Sequence, residues 1–147
     1  MESSDLKSLY RQVIMDHYKN PRNKGIPKDE SYHKVHLRNP SCGDDVTVSI
    51  KTENNIIKDI MQSGEGCSIC CSSASVMSEV LIDQNIEEAI KITKNFYEIV
   101  KGEPHDQTLD MGDAIVYAGV SNFPARIKCA TISWKALETA INEGAIT

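Results

Sequence analysis

No stretch of this 147-residue chain approaches the ~20 consecutive apolar residues that a membrane-spanning helix needs. Basic residues are outnumbered: 16 Lys and Arg stand against 21 Asp and Glu, a formal net charge of −5. That balance speaks against nucleic acid as the main partner. The N-terminus, Met1-Glu2-Ser3-Ser4-Asp5, lacks the basic-then-apolar build of a signal peptide. A cytoplasmic protein with no membrane partner is the expectation. There is no internal repeat, low-complexity tract or linker, so residues 1–147 are expected to form one domain. A repeated Cys-x-x-Cys pair is also missing, which removes the usual zinc-finger spacing.

What the chain does have is five cysteines, an odd number. In a reducing compartment these read better as ligands or reactive thiols than as disulfides. Three of them lie where the chain reverses or a helix begins. They sit in Asn39-Pro40-Ser41-Cys42-Gly43-Asp44, in Gly64-Glu65-Gly66-Cys67 and in Arg126-Ile127-Lys128-Cys129. Residues i and i+2 of an extended chain point the same way, so Cys42 and Asp44 can face one ion, with Gly43 allowing close backbone approach. Helix starts favour a thiolate at Cys67 and Cys129. Three thiolates and a carboxylate fill a tetrahedral zinc shell, and the same groups handle iron and sulfur. With Zn²⁺ they leave a formal charge of about −2. Arg126, one turn before Cys129, is placed to offset it, whereas Lys128 points about 100° away around the helix. Isolated cysteines equally suit small buried core positions, so the residues alone leave both readings open.

Hydrophobic spacing predicts the elements. Leu6, Leu9, Tyr10, Val13, Ile14 and His17 mark a first helix capped by Ser4 or Asp5 and stopped by Asn20-Pro21-Arg22-Asn23-Lys24-Gly25. Three strands follow, with Val35 and Leu37, then Val46, Val48 and Ile50, then Ile57, Asp59 and Met61 on their inner faces. Cys70, Ala74, Met77 and Leu81 share one face of a second helix. A third helix spans Ile86 to Val100. Short helical pieces fill 102–125, and a last helix starts near Pro124 and ends at Gly144. The expected fold is α+β: a three-stranded antiparallel sheet with helices packed on one face. Cys70 reads as core, and Cys71, on the side of Ser75 and Ser78, as partly exposed. His17 reads as packed rather than ligating. His33, His36 and His105 read as solvated, as do the acidic residues between 103 and 113.

These residues resemble the U-type iron–sulfur assembly proteins, in particular the SufU branch of Gram-positive bacteria. The likeness covers nearly the whole chain. Besides the cysteine segments it rests on Leu9-Tyr10-Arg11-Gln12-Val13-Ile14-Met15-Asp16-His17-Tyr18-Lys19-Asn20-Pro21-Arg22-Asn23 and on Phe123-Pro124-Ala125-Arg126-Ile127-Lys128-Cys129-Ala130-Thr131. The related scaffold branch has a shorter interval between its second and third Cys, a His where Lys128 stands, and a Leu-Pro-Pro-Val-Lys stretch that is absent here. The resemblance implies a zinc-dependent sulfurtransferase with Zn²⁺ on Cys42, Asp44, Cys67 and Cys129. It also implies a PLP-dependent, SufS-type cysteine desulfurase as persulfide donor and the SUF assembly complex downstream. In that family a desulfurase His replaces one thiolate on zinc. The freed thiolate, here Cys42, accepts the sulfur, with Arg126 in support. Two alternatives stand beside it: a scaffold that binds iron or an Fe–S cluster transiently, and a structural zinc-binding interaction domain. Cys70 and Cys71 depart from the family pattern, where small or apolar residues are usual.

Overall fold

The computed structural model describes residues 3–144, with side chains from residue 6. The expected cap at Ser4 or Asp5 therefore lies outside the described side chains. The elements run α1 (Ser3–Lys19), β1 (His33–Asn39), β2 (Asp44–Glu53), β3 (Ile56–Glu65), α2 (Ser68–Leu81) and α3 (Ile86–Lys101). Two 3₁₀ helices follow, Gly112–Asn122 and Pro124–Arg126, and then α4 (Ile127–Gly144). No described helix is long and apolar enough to cross a membrane.

The sheet is antiparallel in the order β1-β2-β3. Its inner face carries Val35, Val46, Val48, Ile50, Ile57 and Ile60. Helices α2 and α4 lie on that face, α1 packs on α2, and α3 packs on α4. Trp134 of α4 stacks on Phe96 of α3 at 4.0 Å between ring centroids, and Tyr117 meets Phe96 edge-on. Asn85 caps α3 by accepting from the Glu88 N–H, and Gly102 ends it at φ 75°.

The inner face of β3 differs from the expected one. Asp59 and Met61 are only partly buried, whereas Ile60, Gln62 and Gly64 are buried. A register shift between Lys51 and Thr52 adds a residue to the ladder, and beyond it the alternation changes phase. The segment after α1 then covers the free edge of β3. Gln62 N–H donates to Asn23 O, and Gly25 N–H to Gln62 O, both at 2.9 Å. That segment also crosses α2. Arg22 N–H donates to Ser75 Oγ at 2.8 Å, and Asn23 Nδ2 to Ser78 Oγ at 3.0 Å. Ser75 and Ser78 are consequently fully buried rather than marking an exposed face. Helix α2 is thus buried along most of its length, with Glu79 left exposed near its end.

Candidate metal centre

One chain reversal and one helix start meet at one end of the sheet. The β1–β2 turn carries Cys42, the start of β2 carries Asp44, and the third residue of α4 is Cys129. One ligand atom from each lies within 4.8 Å of the other two. Ligands at ~2.3 Å on a tetrahedron stand about 3.7 Å apart, so this trio is close enough for one ion. Cys129 is fully buried, Asp44 is 2 % exposed and Cys42 is partly open to solvent.

Cys67 occupies the N-cap position of α2 and is partly exposed. Its thiol is not one of the mutually close trio, but it faces Cys129 and its backbone N–H reaches Asp44 Oδ1 at 3.4 Å. Asn39 Nδ2 donates to Asp44 Oδ2 at 3.2 Å. Both carboxylate oxygens are therefore held from behind, an arrangement that fixes ligands before an ion binds. Arg126 is fully exposed on the rim. Its guanidinium is held still more firmly charged by Cys129, and then by the thiols of Cys67 and Cys42.

The turn works differently from the extended-chain expectation. Residues 40–43 form a turn, and only Asp44 is in a strand. Gly43 has φ 72° and open space around its Cα, so its role is the left-handed backbone of the turn and not close approach. The convergence of Cys42 on Asp44 comes from that reversal.

The cluster's electrostatics would suit a bound cation. Burial pushes the Cys129 thiol far above the ordinary thiol range, and Asp44, Cys42 and Cys67 push it further. Groups that oppose one another's ionisation in this way are reconciled by a bound dication. Two buried acids, a third open thiol and an adjacent fourth fit a zinc ion, whose structural sites favour four S, N or O donors.

Cys70 is fully buried, as expected of a core residue. Interaction with the adjacent Cys71, together with burial, pushes the Cys70 thiol up, and interaction with Cys70 lowers Cys71 to about 7. The Cys71 Sγ lies 3.4 Å from Gly64 O and 3.7 Å from Gly66 O, behind the loop that bears Cys67. Among the acidic residues between 103 and 113, Asp106 and Asp110 accept local hydrogen bonds from Thr108 and the Gly112 N–H, and Asp113, in the first 3₁₀ helix, reaches a distant partner. Asp113 Oδ2 lies 2.9 Å from Nε2 of the buried His17. No sequence signal distinguished it from its solvated neighbours.

Comparison with known proteins decides the family. The NifU-like N-terminal domain matches residues 9–130. The chain belongs to this family. It is 48 % identical over 139 residues to the zinc-dependent sulfurtransferase SufU of Bacillus subtilis, covering 95 % of this chain and 93 % of that one. It is 38 % identical to the iron–sulfur cluster assembly scaffold protein IscU of Streptococcus pyogenes, covering 99 % and 90 %. Among solved structures, FiSufU of Fervidobacterium islandicum, described as an iron–sulfur cluster assembly scaffold protein for the SUF system, superposes with TM-score 0.80 at 32 % identity, covering 95 % of this chain and 99 % of that one. The family's fold is the α+β arrangement described above.

Proposed function

We propose that this protein is a zinc-dependent sulfurtransferase that accepts persulfide sulfur from a PLP-dependent cysteine desulfurase and passes it to SUF-type iron–sulfur assembly. Residues 1–147 act as a single unit in this reading. The observation that carries it is the meeting of Cys42, Asp44 and Cys129, with Cys67 alongside, at one partly open end of the fold.

Cys42, Asp44, Cys67 and Cys129 are the residues that would hold zinc. Bound there, the ion would keep the three cysteines as thiolates at neutral pH. Asn39 and the Cys67 N–H orient Asp44, and the buried Cys129 anchors the site to α4. Cys42 is the sulfur acceptor. It lies in a turn and is partly exposed, with its Sγ 3.9 Å from Ala125 O. A Cys42 thiolate attacks the outer sulfur of the donor persulfide. A new S–S bond forms on Cys42, the donor S–S bond breaks, and the donor cysteine leaves as thiolate, with no net redox change. Arg126 offers a cation to the incoming anionic persulfide. Phe123, 64 % exposed, gives the donor an apolar foothold beside it.

A scaffold reading is favoured by the IscU-named relative and by the mixed sulfur–oxygen donor set. Desulfurase turnover, measured with and without this chain and with metal analysis of the same sample, separates the two. Stimulation by a zinc-loaded, iron-free chain is expected. An iron-loaded chain without effect on turnover would favour the scaffold.

A further inference from the structure

A second group of ligating side chains converges well apart from the cysteine segments. His17 lies near the end of α1, Glu79 near the end of α2, and Asp113 at the start of the first 3₁₀ helix. One ligand atom from each lies within 4.8 Å of the other two. The imidazole is fully buried, while the Asp113 and Glu79 side chains are 46 % and 49 % exposed. A buried nitrogen thus looks outward onto two hydrated carboxylates. Both carboxylates line an open cavity of about 340 Å³, with Asp110 on its wall.

The ring is oriented from behind. His17 Nδ1 lies 2.8 Å from Ser75 Oγ, and that hydroxyl is itself fixed by the Arg22 N–H at 2.8 Å. An imidazole that gives its Nδ1 proton to an oxygen presents the Nε2 lone pair, the usual posture of a metal-ligating histidine. At 2.9 Å from the Asp113 carboxylate, Nε2 stands close enough for one ion to be held by both. In the other tautomer an Nε2–H donates to Asp113, and an arriving ion displaces that proton. The local charge suits a dication. Arg22 pairs with Asp16 at 2.7 Å and stands 3.6 Å from Glu79, so Asp16, Glu79 and Asp113 are opposed by one guanidinium.

We propose that His17, Glu79 and Asp113 bind one divalent first-row transition ion, distinct from the ion of the cysteine centre. One imidazole and two carboxylates suit Mn²⁺, Fe²⁺ or Zn²⁺ and disfavour soft ions such as Cu⁺. The remaining coordination positions face the cavity and are open to water or a small anionic ligand. The ion ties the end of α1 to α2 and to the segment leading to α4. This site is independent of the sulfurtransferase reading, since it shares no ligand with the cysteine centre.

The test uses the full chain already replete in zinc, so that the cysteines do not compete. It is titrated with Mn²⁺, followed by the electron paramagnetic resonance of the free ion, and in parallel with Zn²⁺. Uptake of one further ion per chain is expected, together with Mn²⁺ broadening of the His17 ring proton signals. Glu79→Gln and Asp113→Asn, both at exposed positions, should each weaken uptake by at least about tenfold while original zinc content stays constant. Absence of a further ion in both titrations overturns the proposal. So does uptake that either substitution leaves within a smaller factor, or that leaves the His17 signals sharp.

Discussion

Gly66 and Asp44 are fitted to each other across the metal centre. A Cβ on Gly66 would collide with Asp44 Oδ1 and stand 3.1 Å from Asp44 Cα. Gly66 also has φ 143°, a conformation that side chains rarely adopt. The loop that delivers Cys67 can therefore approach the carboxylate only because residue 66 has no side chain. Gly66→Ala should displace Asp44 or Cys67 and weaken zinc binding by roughly 10–100-fold. Competition with a chromophoric chelator checks this, and unchanged affinity would show that the close approach is not required.

Zinc should contribute much of the stability. Its proposed ligands join the β1–β2 turn, the start of α2 and the start of α4, and an ion that binds only the folded state adds its binding free energy to folding. Chelation, or Cys129→Ser, should lower the melting temperature by roughly 10 °C. Scanning calorimetry of the metal-free and zinc-loaded forms measures it. Coincident transitions would contradict the assignment.

The extra thiols should be dispensable for the metal. Cys70 is buried, and the Cys71 thiol contacts the Gly64 and Gly66 carbonyls. Cys70→Ser combined with Cys71→Ser should keep zinc and most transfer activity. It should lose about 1–3 kcal/mol of stability from a hydroxyl placed in an apolar site. Zinc loss in this double variant, read by elemental analysis, would show that the ligand set is wrong.

Much of this architecture is legible in the residues, and the departures have definite causes. The spans of α3 and α4, around Phe96 and Trp134, are legible because large apolar residues recur at helical spacing, although in α3 Ile92 and Ile99 are buried while Ile86, Ile90 and Tyr97 are only partly so. The cysteine segments announce themselves because turns and helix starts are written in Pro, Gly and Asn. The inner face of β3 does not read correctly past the Lys51/Thr52 register shift, since alternation carries no record of an inserted residue. Ser75 and Ser78 look exposed because they are polar, yet the segment after α1 covers them and satisfies their hydroxyls. Asp113 is indistinguishable from its acidic neighbours until the chain folds it onto His17. The offset of Cys67 from the Cys42, Asp44 and Cys129 trio is a matter of ångströms that no spacing encodes.

The central claim is that Cys42 carries the sulfur, and mass spectrometry of the zinc-loaded chain after incubation with a cysteine desulfurase and cysteine tests it most directly. Cys42 is placed for the role by its position in a turn and its partial exposure, whereas Cys129 is buried in α4. An adduct of ~32 Da, the mass of one sulfur, is expected on the peptide containing Cys42 and should be lost on thiol reduction. Cys42→Ala should lack the adduct and no longer stimulate the desulfurase, even where zinc is retained by Asp44, Cys67 and Cys129. An adduct confined to Cys70 or Cys71, or full stimulation by Cys42→Ala, would contradict the account.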